Sequence, residues 1–139
     1  MMYKALFIIL LGLIHLNCLG QNIQVLVLGI AQDGGYPQIG CHKACCAHTS
    51  KKTYVSSLAI VDYDNKDVWL IDCTPDFPAQ WEMIYRSLDK QQFDLKGIFL
   101  THAHIGHYSG MTQLGREVMG TIDIPLYCMP RMAQFLKDK

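Results

Sequence analysis

The sequence predicts an α/β fold, a mixed sheet with helices on one outer face. Apolar, β-branched runs of strand length recur at residues 23–30 (IQVLVLGI), 54–63 (YVSSLAIVDY) and 67–72 (DVWLID), ahead of any long helical pattern. Residues 75–88 then carry Phe77, Trp81, Ile84, Tyr85 and Leu88 at helical spacing, and a β-α-β-α order follows. Apolar residues make up 50% of the 139, enough for a core within one domain.

Residues 1–20 stand apart from that domain. Lys4 precedes an apolar run over 5–16 (ALFIILLGLIHL), and the small residue Gly20 precedes Gln21, the pattern of a secretory signal peptide. The run falls short of the ~20 apolar residues that span a bilayer. Export with cleavage near Gly20, to a periplasmic or extracellular compartment and without a stable membrane anchor, is expected. Lipoprotein attachment at Cys18 is the alternative, although Leu16-Asn17 lacks the small residue usual before such a cysteine.

In the remaining domain, residues 21–139, the first strand closes at Gly34-Gly35, and Asp64-Asn65-Lys66 is the turn between the next two. Pro75 and Pro78 open the helical segment. Residues 97–102 (GIFLTH) return to strand. Residues 108–119, with Met111, Leu114 and Val118 on one face, predict a helix; residues 122–127 predict a short strand and 129–136 a last helix. Internal repeats are absent, so one domain is expected. Twelve Lys and Arg balance 12 Asp and Glu, and charged residues are only 17% of the chain. That leaves no electrostatic footprint for nucleic acid or an anionic membrane, and a small-molecule substrate or ligand is the expected partner.

Residues 101–110 (THAHIGHYSG) concentrate three of the six histidines. Alternation at the end of the preceding strand sends His102 and His104 to one side, and His107 falls at the start of the next helix. Imidazole nitrogen suits zinc, iron, copper or nickel, and the mouth between strand ends and helix starts is where α/β proteins commonly place their sites. His102, His104 and His107 are therefore expected to bind a metal rather than to pack.

THAHIGH resembles the His-x-His-x-Asp-His signature of the metallo-β-lactamase superfamily. Residues 57–60 (SLAI) followed by 69–72 (WLID) are similar to its early strands, with Asp72 at the strand end bordering the metal site. Within the superfamily, residues 27–38 (VLGIAQDGGYPQ) and the cysteine-rich loop after them look most like coenzyme PQQ synthesis protein B, with phosphodiesterases of phosphonate metabolism next. The resemblance implies the first half of an αββα sandwich, whose second half supplies a histidine, a bridging aspartate and a last histidine. With no histidine after His107, the chain reads as truncated. It also implies a zinc or other divalent transition-metal centre held by His102, His104 and His107, with Asp72 orienting a ligand from behind. The implied function is that of a metal-dependent hydrolase of a small molecule or a coenzyme PQQ biosynthesis-type protein. The alternative is a non-catalytic carrier of a quinone-like ligand or precursor.

One departure bears on the metal count. The family's aspartate ligand of the second metal is replaced by Gly106, which has no donor atom. This chain is expected to bind active-site metal weakly and its complete form to hold one ion per site, a number that Gly106→Asp is expected to raise towards two in that complete form. If two ions are held without it, Asp72 or Asp33 is the first candidate for the missing ligand.

Residues 40–48 (GCHKACCAH) gather Cys41, His42, Cys45, Cys46 and His48. Such a loop suits a structural zinc or, in an oxidising compartment, a disulfide. Its imidazoles favour zinc. The resemblance implies three cysteine ligands; Cys41 and Cys46 fit the outer two, Lys43 stands at the middle one, and Cys45 or His48 would substitute. Cys73 and Cys128 are expected to be small apolar core residues.

Overall fold

Along Ser57–Asp62 and Asp67–Ile71 every second side chain is buried, the two-residue period of strands with one face on a core. The computed structural model describes residues 22–138. Its elements run β1 (Ile23–Gly29), a one-turn helix α1 (Ala44–Ala47), β2 (Ser57–Asp62), β3 (Asp67–Ile71), α2 (Phe77–Ser87), β4 (Asp94–Leu100), a one-turn helix α3 (Ile105–Tyr108), β5 (Leu126–Cys128) and α4 (Pro130–Lys137). The strands form one sheet in the order β1-β2-β3-β4-β5. The first three are antiparallel neighbours and the last three parallel, so the sheet is mixed. The signal-peptide and Cys18 expectations fall outside the described residues; within them no helix is long and apolar enough to cross a membrane.

One face of this sheet carries the core. Ala59, Val61, Val68, Leu70, Ile98 and Leu100 are 4% exposed or less and share one cluster with Phe77 and Ile84 of α2 and Met132 of α4. Each such side chain contributes about 1.5–3 kcal/mol through burial. On the other face Val25 and Val27 are 58% and 60% exposed, and the rings of Phe99 and Tyr127 stack in the open at 4.7 Å. The helices that close the core therefore lie on one side.

The strand expected over 97–102 runs instead over Asp94–Leu100, so His102 lies just beyond its end, and two further expectations shift. The helix expected over 108–119 is instead α3 followed by a 3-10 turn over Ser109–Leu114. Gly110 presses its backbone onto the chain after β3, where a Cβ would stand 2.0 Å from the Thr74 carbonyl oxygen, and Gly115 follows within the same stretch. Two glycines this close weaken a regular helix. His107 thus lies inside α3 rather than at its start. The strand expected over 122–127 contracts to β5, because Asp123 takes a left-handed φ of 55° and Pro125 lacks an N–H for the ladder.

The loop after β1 is pinned to residues 53–56. Ala31 N–H donates to the Tyr54 carbonyl at 2.9 Å, Ser56 N–H to the Ala31 carbonyl at 2.9 Å, and Tyr36 and Thr53 exchange bonds of 3.0 and 2.7 Å. α2 holds residues 53–56 in turn. The buried Gln80 donates from Nε2 to the Val55 carbonyl at 2.7 Å, and Val55 N–H donates to Asp76 Oδ2 at 3.0 Å. The tip of that loop, at Asp33, is thereby fixed in place.

Candidate metal centre

β3 and β4 are parallel and end together, with Ile71 opposite Phe99, so the residues after each strand emerge at one edge. Asp72 leaves β3 with a φ of 64°, a left-handed conformation that aspartate tolerates better than most residues. The turn aims a buried carboxylate at the exit of β4. Thr101 donates to it twice, from N–H to Oδ1 at 2.8 Å and from its hydroxyl to Oδ2 at 2.8 Å.

These bonds assign the imidazole tautomers. An ionised carboxylate only accepts, so His107 Nδ1, 2.7 Å from Asp72 Oδ2, carries a proton and leaves Nε2 for another partner. The Thr101 hydroxyl, its proton committed to Asp72, accepts from His102 Nδ1 at 2.9 Å, which leaves the lone pair of His102 on Nε2. That Nε2 faces His104 Nδ1 at 3.1 Å. Two nitrogens bound to one tetrahedral zinc at ~2.05 Å stand about 3.3 Å apart. The spacing of His102 and His104 thus suits a shared ion, and their donor set suits zinc or a neighbouring transition metal.

The third segment is the loop after β1. Asp33 places Oδ1 3.0 Å from His107 Nε2 and Oδ2 3.4 Å from His104 Nδ1. It does so through the gap at Gly106, where a Cβ would lie 2.5 Å from the Asp33 Cα and 3.0 Å from its carbonyl oxygen. This corrects the expectation that Gly106→Asp would simply restore a ligand. The space a side chain at 106 would need is filled by the backbone of residue 33. The approach of Asp33 depends on a contact 74 residues apart in sequence, which no local pattern contains; the sequence offered Asp33 only as one of two acidic residues to try for a missing ligand.

A cleft of ≈ 750 Å³ lies beside this cluster, lined by Asp33, Tyr36, His104, Cys45 and Cys46 among others. A hollow of ≈ 460 Å³ is lined by His102, Met129, Phe135 and Arg131, its one charged side chain. In the cysteine loop Cys41 and Cys46 form a disulfide with Cα atoms 6.0 Å apart, and Cys45 Sγ lies 3.9 Å from Cys46 Sγ. Among the described residues these three are the one group of ligand atoms all within 4.8 Å of one another; His48 lies outside it, and the histidines and Asp33 meet only in pairs. Cys73 is fully buried, and burial, then the Asp72 charge, pushes its thiol up to about 12.

The family described as beta-lactamase superfamily domain matches residues 69–139. Among solved structures, zinc-bound PqqB from Methylobacterium extorquens is 22% identical with a TM-score of 0.65, over 83% of this chain and 40% of that one. A diphosphatase from the PhnP family is 27% identical with a TM-score of 0.62, over 84% of this chain and 46% of that one. An octanoyltransferase from Porphyromonas gingivalis is 28% identical over 84% of this chain and 23% of that protein. The chain spans less than half the length of each of these relatives.

Proposed function

The chain belongs to the beta-lactamase superfamily domain family, and from that premise we propose that it carries the histidine side of a metal-dependent hydrolase acting on a small molecule. The observation that carries the reading is the pair of Nε2 lone pairs, on His102 and His107, freed by a single network around Asp72. A divalent ion there supplies Lewis acidity. Asp72 holds His107 in one tautomer and Thr101 does the same for His102, so both rings reach an ion without reorganising. Arg131 gives the hollow beside His102 a cation suited to an anionic substrate group. The likeness to a diphosphatase supports a phosphate ester or anhydride as the class to try first. The octanoyltransferase shares less than a quarter of its length, so acyl transfer is not part of the reading. Residues 1–20 are proposed to direct export.

A second reading, a non-catalytic carrier of a quinone-like ligand, draws on Gly106, which offers no donor of its own. The two are separated by loading the protein with Zn²⁺ or Co²⁺ and assaying bis(p-nitrophenyl) phosphate and p-nitrophenyl acetate. Metal-dependent turnover that His102→Ala plus His104→Ala abolishes supports the hydrolase. Tight metal binding with no turnover of either substrate turns the assignment to the carrier.

A further inference from the structure

We propose that Asp33 is a metal ligand, the carboxylate that position 106 does not provide, delivered from the loop after β1. The proposal rests on the metal-centre reading above and adds to it a donor from outside the histidine segment.

Three observations point to ligation, and the titration below separates it from an ion pair with a protonated ring. His107 Nδ1 is committed as a donor to the Asp72 carboxylate at 2.7 Å, so in the neutral ring Nε2 has only a lone pair. That lone pair faces Asp33 Oδ1 at 3.0 Å, also an acceptor. Two acceptors at this distance repel unless something positive lies between them, either a second proton on the ring or a metal ion. Around His104 Nδ1 the balance is similar. It meets the Nε2 lone pair of His102 at 3.1 Å and Asp33 Oδ2 at 3.4 Å, and one N–H cannot serve both well. A cation placed between the two atoms of such a pair removes the conflict, with one carboxylate oxygen of Asp33 turned toward each of His107 and His104.

The second observation is steric. Residue 106 must be glycine because the backbone of residue 33 passes where its Cβ would be, at 2.5 Å. The carboxylate of residue 33 therefore enters from beside the space that a side chain at 106 would occupy. The third is preorganisation. The loop is tied to residues 53–56 on both sides of Asp33, through Ala31 and Tyr36, and α2 secures that segment through Gln80 and Asp76. A loop held this way presents the carboxylate beside two imidazoles without further ordering when an ion binds.

The test is a Co²⁺ titration in the Cys41→Ser plus Cys46→Ser background, which removes the competing thiolates, read by visible absorption and by the dissociation constant. Asp33→Asn keeps the shape and removes the charge; it is expected to weaken binding on the order of 10–100-fold and to alter the Co²⁺ spectrum. Asp33→Glu keeps the carboxylate and should recover part of the affinity. Equal losses in both variants would assign Asp33 to loop packing and overturn ligation. Unchanged affinity and spectrum in Asp33→Asn, with binding still lost in His102→Ala plus His104→Ala, would overturn this proposal and leave the metal centre standing. If the background protein itself binds no Co²⁺, the metal reading falls and Asp33 with it.

Discussion

The cysteine loop gathers its three sulfurs from within Cys41–Cys46, whereas the strand-end centre draws Asp33, Asp72 and the histidines from segments up to 74 residues apart. The loop needs only a one-turn helix to bring its atoms together. The strand-end centre needs the parallel pairing of β3 and β4, the left-handed turn at Asp72 and a clamped loop. The contrast predicts different behaviour: the loop's chemistry should follow redox state and local sequence, while the strand-end site should follow the fold.

The sharpest way to break that comparison is to delete each region in turn. His102→Ala plus His104→Ala should abolish metal binding at the strand ends while zinc, in protein made under reducing conditions, stays on the cysteines. Cys41→Ser plus Cys46→Ser should do the reverse. Elemental analysis of the unaltered protein and the two double variants decides it; a Cys41–Cys46 disulfide in mass spectra with no zinc under any condition would make the loop a crosslink. A smaller effect is expected from Asp72→Asn. The variant keeps the turn but can present an amide N–H to His107, so its tautomer is no longer imposed. Metal affinity should fall about 10–100-fold, with the cysteine loop indifferent. Equal affinity in a calorimetric titration would show that Asp72 orients nothing.

The smallest effect concerns Cys73, beside Asp72. Its native thiol keeps its proton to about pH 12, while the unfolded thiol ionises near 9.0. The native state therefore binds more protons in that window, and stability should decline as pH rises from about 9 to 12, being fully present below it. Iodoacetamide at pH 8.5 should spare Cys73 in folded protein and label it in denaturant. Labelling of folded protein would mean that the strand end opens far more readily than its burial suggests.

What could be read from the chain divides along the same line. The α/β class and the mixed sheet were legible because alternation in residues 57–62 and 67–71 is a local signal, as was the crowding of His102, His104 and His107. The end of the histidine helix was not, since Gly110 is there for a contact with Thr74 that no window of sequence contains. Asp33 was visible only as one of two acidic residues to try if a ligand proved missing. The glycine at 106 looked like a loss because its reason lies across the fold, in the backbone of another loop. Arg131 carried no signal at all, and only the packing of α4 beside His102 places it at the site.

The interlock of Gly106 with residue 33 has a consequence for how the protein can vary. A methyl group at 106 requires the loop backbone to retreat, and overpacking of this kind typically costs about 1–3 kcal/mol. A change at residue 33 that preserves the loop path does nothing to lift that cost, because the obstruction is main chain. The coupling therefore runs between residue 106 and the path of the loop backbone: exchanging the side chain at 33 should leave the cost at 106 unchanged, whereas changing the loop's path should alter it. A library that mutates residues 33 and 106 one at a time will record Gly106 as intolerant to every replacement. Only one that also varies the length of the loop between Ile30 and Tyr36 can find chains in which residue 106 regains a side chain.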